Sequence, residues 1–149
     1  PVYGFIYDFS VNILFEGGSG FGLMKNQKKY SSLENDREVK KIIGIQFPIE
    51  ASIFDKLTPL FSEFKIRALG SSTLLGCLAA QGYLTGVFDV RAKVWDIAAS
   101  YALAKAVNND FQFINESPFP LKVFHTSLSQ CPYFTGSREF CTRVESLLN

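Results

Sequence analysis

Histidine is nearly missing from this chain, with His125 its single copy, and cysteine is sparse, with Cys77, Cys131 and Cys141 its three. One histidine cannot furnish a zinc centre and leaves little for a Ser-His-Asp arrangement. The apolar-polar alternation around His125 predicts a strand residue, not a catalyst. No cysteine pair has Cys-x-x-Cys spacing and the count is odd, so a reducing, cytoplasmic setting is expected, with Cys77 a small core residue of its helix. Charge of one sign is also lacking: 15 Lys and Arg stand against 14 Asp and Glu, a net charge of +1. Such a balance makes no electrostatic case for nucleic acid. Lys25, Lys28, Lys29, Lys40 and Lys41 do gather in one region, but Glu34, Asp36 and Glu38 lie among them, which predicts a solvated, mobile loop. Long apolar runs are absent too. The longest, Leu74–Ala80, stops at Gln81, far short of the roughly 20 residues that cross a bilayer; it reads as a core helix, and no membrane segment is expected. Nor does the chain open on a basic-then-apolar leader.

What the chain does contain is alternation of strand and helix patterns. Pro1 to Tyr7 begins as a strand, and Asn12 to Phe15 follows as its antiparallel partner across a turn near Asp8 to Val11. Gly17, Gly18, Ser19, Gly20, Phe21 and Gly22 come next. Gly18-x-Gly20-x-Gly22 is one residue short of a dinucleotide fingerprint and no Gly-Lys-Ser/Thr follows it, so a bulged hairpin turn is the expectation, not a phosphate cradle. Ser31 to Arg37 is polar and unpatterned. Lys41 to Phe47 reads as a buried strand stopped by Pro48, and Ile53, Leu57, Leu60, Phe61 and Phe64 share one face of a helix over Glu50 to Lys65, bent at Pro59. The expected fold is α/β: a layered sheet with helices on its faces and polar loops at one edge, preceded by an antiparallel hairpin. Within one domain, 1–40 is the hairpin and polar loop and 41–149 the α/β core.

Two strand-to-helix switches in that core carry the chemistry. Ile66 to Ser72 runs into the apolar helix Thr73 to Gln81, and Gly86 to Asp89 is followed by Trp95 and Asp96, which open the alanine-rich helix Ile97 to Ala106. A carboxylate at or just before a helix start meets unpaired N–H groups and the positive end of the macrodipole, so Asp96 is read as either a cap or a ligand. Ser71 or Ser72 caps the earlier helix or faces a substrate. Lys93 is a loop lysine that an anion can meet. Asp110 to Asn115 and Leu121 to Thr126 read as further strands, Cys131 to Gly136 as an irregular loop, and Ser137 to Leu148 as a closing helix capped by Ser137.

In order and separation, Arg67-Ala68-Leu69-Gly70-Ser71-Ser72, Cys77-Leu78-Ala79-Ala80-Gln81-Gly82, Gly86-Val87-Phe88-Asp89 and Trp95-Asp96-Ile97-Ala98-Ala99 resemble the second half of the inositol monophosphatase family, Mg2+-dependent and lithium-sensitive phosphomonoesterases. The resemblance implies a metal-ligand role for Asp96, with Mg2+ as cofactor. It sets Gly70, Ser71 and Ser72 beside the substrate's hydroxyls, and Asp89 where many relatives hold the ring with a glutamate. It implies a phosphorylated inositol, sugar or nucleotide as substrate. The family's Asp-Pro-(Ile/Leu)-Asp-Gly-Thr motif and the Glu-Glu pair before it have no counterpart here, and Ala106, Val107, Asn108 and Asn109 replace the usual Glu-Ala-Gly-Gly. Asn suits the left-handed position of that glycine. A lone chain holding only Asp96 is therefore expected to be a poor phosphatase or none, completed by an N-terminal half or by self-association through apolar surface, since aromatics make up 15% of it, 15 of them Phe. The alternative function is a non-catalytic interaction module of the same fold. A third reading is an unrelated small α/β domain that places Trp-Asp before a helix by chance.

Overall fold

Two sheets sandwich a pair of helices, and a second helix pair covers the far face of one sheet. The computed structural model describes residues 1–31 and 41–149. The expected polar loop after Ser31, together with Glu34, Asp36, Glu38 and Lys40, lies outside the described residues.

Strands β1 (Gly4–Asp8), β2 (Ile13–Gly18), β3 (Gly22–Lys25) and β4 (Lys28–Lys29) form an antiparallel sheet in that order. The glycine run is a hairpin turn: Gly18 pairs with Gly22, Phe21 N–H donates to the Gly18 carbonyl at 3.0 Å, and Gly20 and Gly22 have φ of +80° and +75°. Lys25, Lys28 and Lys29 lie in strands and not in the expected loop. Asn26 and Gln27 make this turn with φ of 48° and 64°, the conformation of a two-residue hairpin that glycine usually signals. Asn26 adds a side-chain clamp, its Oδ1 accepting from Leu14 N–H at 2.9 Å.

The second sheet has the order β6-β5-β7-β9-β8, from β5 (Ile42–Ile45), β6 (Lys65–Arg67), β7 (Gly86–Asp89), β8 (Asp110–Phe113) and β9 (Tyr133–Gly136). Strand β5 pairs in parallel with β6 and β7, whereas β9 is antiparallel to β7 and β8. Helices α1 (Ala51–Glu63) and α4 (Arg138–Leu148) cover one face, where Ile43, Ile45, Leu57, Phe88 and Phe140 pack together. On the other face α2 (Ser72–Ala80) and α3 (Val94–Ala106) bury Leu75, Val87, Ile97 and Tyr133. The far side of α2 and α3 meets the first sheet through Cys77, Ala80 and Leu103 against Ile6, Phe15 and Leu23. Small residues make the middle layer thin enough to be shared: a methyl group added to Gly76 of α2 would lie 2.6 Å from Ser100 Cβ of α3.

Four expectations fail here. Leu121 to Thr126 forms no strand; Leu121, Val123 and Phe124 lie exposed, and so does His125, whose Nδ1 is 2.7 Å from Ser127 Oγ. The strand lies instead in the stretch read as a loop. Buried at all its positions, β9 carries no alternation to read. Helix α1 ends before Lys65, because Lys65 N–H donates to the Lys41 carbonyl at 2.7 Å and joins β6. Two other helix ends are as read. Ser137 caps α4 by accepting from Phe140 N–H at 3.2 Å, and Asn108 takes φ 57° after α3. Asn109 N–H then reaches the Ala104 carbonyl at 2.9 Å, the closure that a glycine normally provides.

Candidate functional site

The starts of α2 and α3 converge on the C-terminal end of β7, and Asp89 stands between them. Its side chain is 1% exposed. Oδ1 accepts from the Arg91 and Ala92 N–H groups at 2.7 and 3.1 Å, which folds the turn leading to α3; the other oxygen accepts from the Ser72 hydroxyl at the start of α2. One buried carboxylate thus ties a strand end to both helices, and its charge strengthens each bond.

Ser71 caps α2, its hydroxyl accepting from Leu74 N–H at 3.2 Å, and Gly70 before it has φ +74° with nothing within 4 Å of where a Cβ would stand. Thr73 Oγ1 donates to the Asp96 carbonyl at 2.7 Å, a second tie between the helices. Asp96 is not the cap residue: α3 begins at Val94, so Asp96 lies in the first turn, where one carboxylate oxygen accepts from Lys93 N–H at 2.8 Å. That back-bond satisfies the N–H before the helix and fixes the side chain. The other oxygen accepts no hydrogen bond from a described residue, and the group is half-buried. Lys93 is held too, its ammonium donating to the Leu128 carbonyl at 2.8 Å.

Tyr133 completes the constellation from β9. It is paired in register with Asp89, stacks on Phe111 at 4.7 Å and 7°, and is fully buried, with no hydrogen-bond partner for its hydroxyl among the described residues. Burial, then the charges of Asp89 and Asp96, push its phenol well above the ordinary range. Cys131 lies nearby, its N–H donating to the Ala92 carbonyl at 2.7 Å; burial raises its thiol, with Lys93 pulling down and Asp96 pushing up. An apolar groove lined by Trp95, Ala98, Phe119, Leu121 and Phe124 flanks the first turn of α3.

The fold therefore gathers Gly70, Ser71, Ser72, Asp89 and Asp96 at two adjacent helix starts. Thr73 and Tyr133 escaped the sequence reading. A threonine at a helix start carries no distinctive signal, but Tyr133-Phe134-Thr135 after Pro132 is a run of strand formers that weighed too little. As a metal site the set is partial. No group of three or more His, Cys, Asp or Glu suited to a metal ion occurs among the described residues. Both oxygens of Asp89 already accept hydrogen bonds from the protein, whereas Asp96 keeps a spare oxygen as a hard ligand, which fits one contribution to a Mg2+ site shared with other groups.

Residues 1–136 match the family described as the inositol monophosphatase family. Inositol monophosphatase 1 of Saccharomyces cerevisiae is 29% identical over 124 residues, which cover 72% of this chain and 42% of that protein. A fructose-1,6-bisphosphatase/inositol-1-monophosphatase of Methanocaldococcus jannaschii is 33% identical over 107 residues, covering 70% of this chain and 41% of that one. Among solved structures, an IMPase/NADP phosphatase complexed with Mg2+ and phosphate has the same fold, with a TM-score of 0.72 at 21% identity, over 100% of this chain and 54% of that one. The matched part of this chain spans about four tenths of these two curated relatives.

Proposed function

We propose, for a chain that belongs to the inositol monophosphatase family, a share in the metal-dependent hydrolysis of inositol or sugar phosphate monoesters. The observation that carries this is the convergence of two helix starts on Asp89, with Asp96 keeping one carboxylate oxygen unengaged by the described residues. In this role Asp96 is a Mg2+ ligand. The bound metal would supply an acidified water and neutralise charge on the phosphoryl oxygens. Asp89 holds the two helix starts in place, a supporting part beside the contact with substrate hydroxyls that the resemblance implies. Gly70, Ser71 and Ser72 line the substrate side, where the Cβ-free surface of Gly70 and the positive end of α2 suit a hydroxylated, anionic ligand. Lys93 stays tied to Leu128.

One protein oxygen with a bridging phosphate holds Mg2+ weakly but completes no catalytic site, so we assign the remaining protein ligands to an N-terminal half. An exposed aromatic surface supports that partner. Among the described residues strand β1 is a sheet edge, and Phe5, Phe9 and Phe21 around it are 61%, 87% and 64% exposed, with Tyr3 packed against Phe5 and Phe21. An open strand edge bearing aromatics is a template for further pairing.

Thermal unfolding with Mg2+ and inorganic phosphate tests the role of Asp96. Wild type is expected to gain stability saturably, by about 1.4 kcal/mol at ten times the dissociation constant, and Asp96→Asn to gain none. An equal gain in both proteins, or none in either, removes Asp96 from the role.

A further inference from the structure

Tyr133 is a buried polar residue that the proposed function leaves unused. Its hydroxyl is sealed from solvent without a hydrogen-bond partner among the described residues. Leaving such a donor unmet is costly relative to a phenylalanine at the same place, and nothing in packing requires it, because the ring already stacks on Phe111. Register puts Tyr133 directly across from Asp89, so the two side chains rise from the same face of the sheet as neighbours. Val87, two residues before Asp89, packs with Tyr133 on the α2 and α3 side. Asp89 receives three hydrogen bonds, from Arg91, Ala92 and Ser72, while a carboxylate has about four lone-pair sites. One acceptor position therefore remains on the residue facing the unmet donor. Burial and the two nearby carboxylates also keep the phenol protonated, hence able to donate.

We propose that Tyr133 is a positioning residue of this site, its hydroxyl donating to the remaining acceptor position of Asp89 and so stiffening the turn that delivers Asp96. The hydroxyl has no partner where it stands, so the ring must turn toward the carboxylate for the bond to close. Its consequence for the metal rests on the reading of Asp96 as a ligand; the bond itself does not.

The test is a double-mutant cycle on the full chain with Tyr133→Phe and Asp89→Asn, read by denaturant unfolding without metal. Asp89→Asn keeps the oxygen that accepts from Arg91 and Ala92, so the turn survives. Tyr133→Phe is expected to raise the unfolding constant about fivefold, and to have a much smaller effect once Asp89 is Asn. A phenylalanine variant as stable as wild type or more so, or equal effects in both backgrounds, overturns the proposal. A second readout separates positioning from packing: Tyr133→Phe is expected to weaken Mg2+ binding in the presence of phosphate about tenfold, as loss of an outer-shell partner does. Unchanged Mg2+ affinity in that variant refutes the positioning role. Absence of a Mg2+ effect in wild type would count against the metal reading alone, and the cycle would still decide the Tyr133–Asp89 bond.

Discussion

Gly76→Val is expected to lower the unfolding midpoint by roughly 6–12 °C, from a loss of about 3 kcal/mol at 2–4 °C per kcal/mol for a chain of this size. Even a single methyl at Gly76 would stand 2.6 Å from Ser100 Cβ and 2.9 Å from its Oγ, inside any tolerable separation, and valine adds two more carbons in the same space. Valine also gains some helix propensity over glycine, worth a few tenths of a kcal/mol, too little to offset the clash. Neither helix can retreat, since α2 and α3 are packed between two sheets. Adding Ser100→Gly removes the atoms that collide and should recover most of the loss, less about 1 kcal/mol for glycine inside α3. Circular dichroism melts of the two variants check this. A single variant melting with wild type would mean that the helices are not in close contact, and the convergence of their starts would lose its support.

Asp89→Ala should destabilise by a similar amount, about 3 kcal/mol, whereas Asp89→Asn should lose only about 1 kcal/mol. Alanine strands the Ser72 hydroxyl and the Arg91 and Ala92 N–H groups at once, and Ala92 is 2% exposed, so its N–H has no recourse to solvent. Asparagine retains an acceptor for both N–H groups and offers its amide to Ser72. Urea titrations of the two variants measure the difference. Equal, small losses would show that the Asp89 bonds contribute little, and would return Asp89 to substrate contact as its main part.

Much of this arrangement was legible in the sequence, and the rest was hidden for identifiable reasons. The switches at Gly70-Ser71-Ser72 and Trp95-Asp96 were readable because each sets polar residues against an apolar helix, and the resemblance joined them. The cap at Ser137 and the left-handed Asn108 were readable because short polar side chains at helix ends act locally. Strand β9 was not, since burial on both faces erases the alternation by which a strand is recognised. Leu121 to Thr126 misled for the converse reason: its alternation is real, but the segment lies on the surface with Leu121, Val123 and Phe124 exposed. Tyr133 was missed with its strand. Asp96 was read as a cap or a ligand, but its bond to Lys93 N–H depends on where α3 begins, one residue before Trp95, and that start is set by the turn on Asp89.

Phosphate release is the most direct measure of whether Asp96 belongs to a site that this chain does not complete alone. It would be followed across inositol, sugar and nucleotide monophosphates, with and without Mg2+, for the 149-residue chain and for Asp96→Asn. No Mg2+-dependent release above the uncatalysed rate is expected from either protein. Mg2+-dependent release by the wild-type chain that Asp96→Asn abolishes would contradict this expectation, because a full set of ligands would then assemble from these residues.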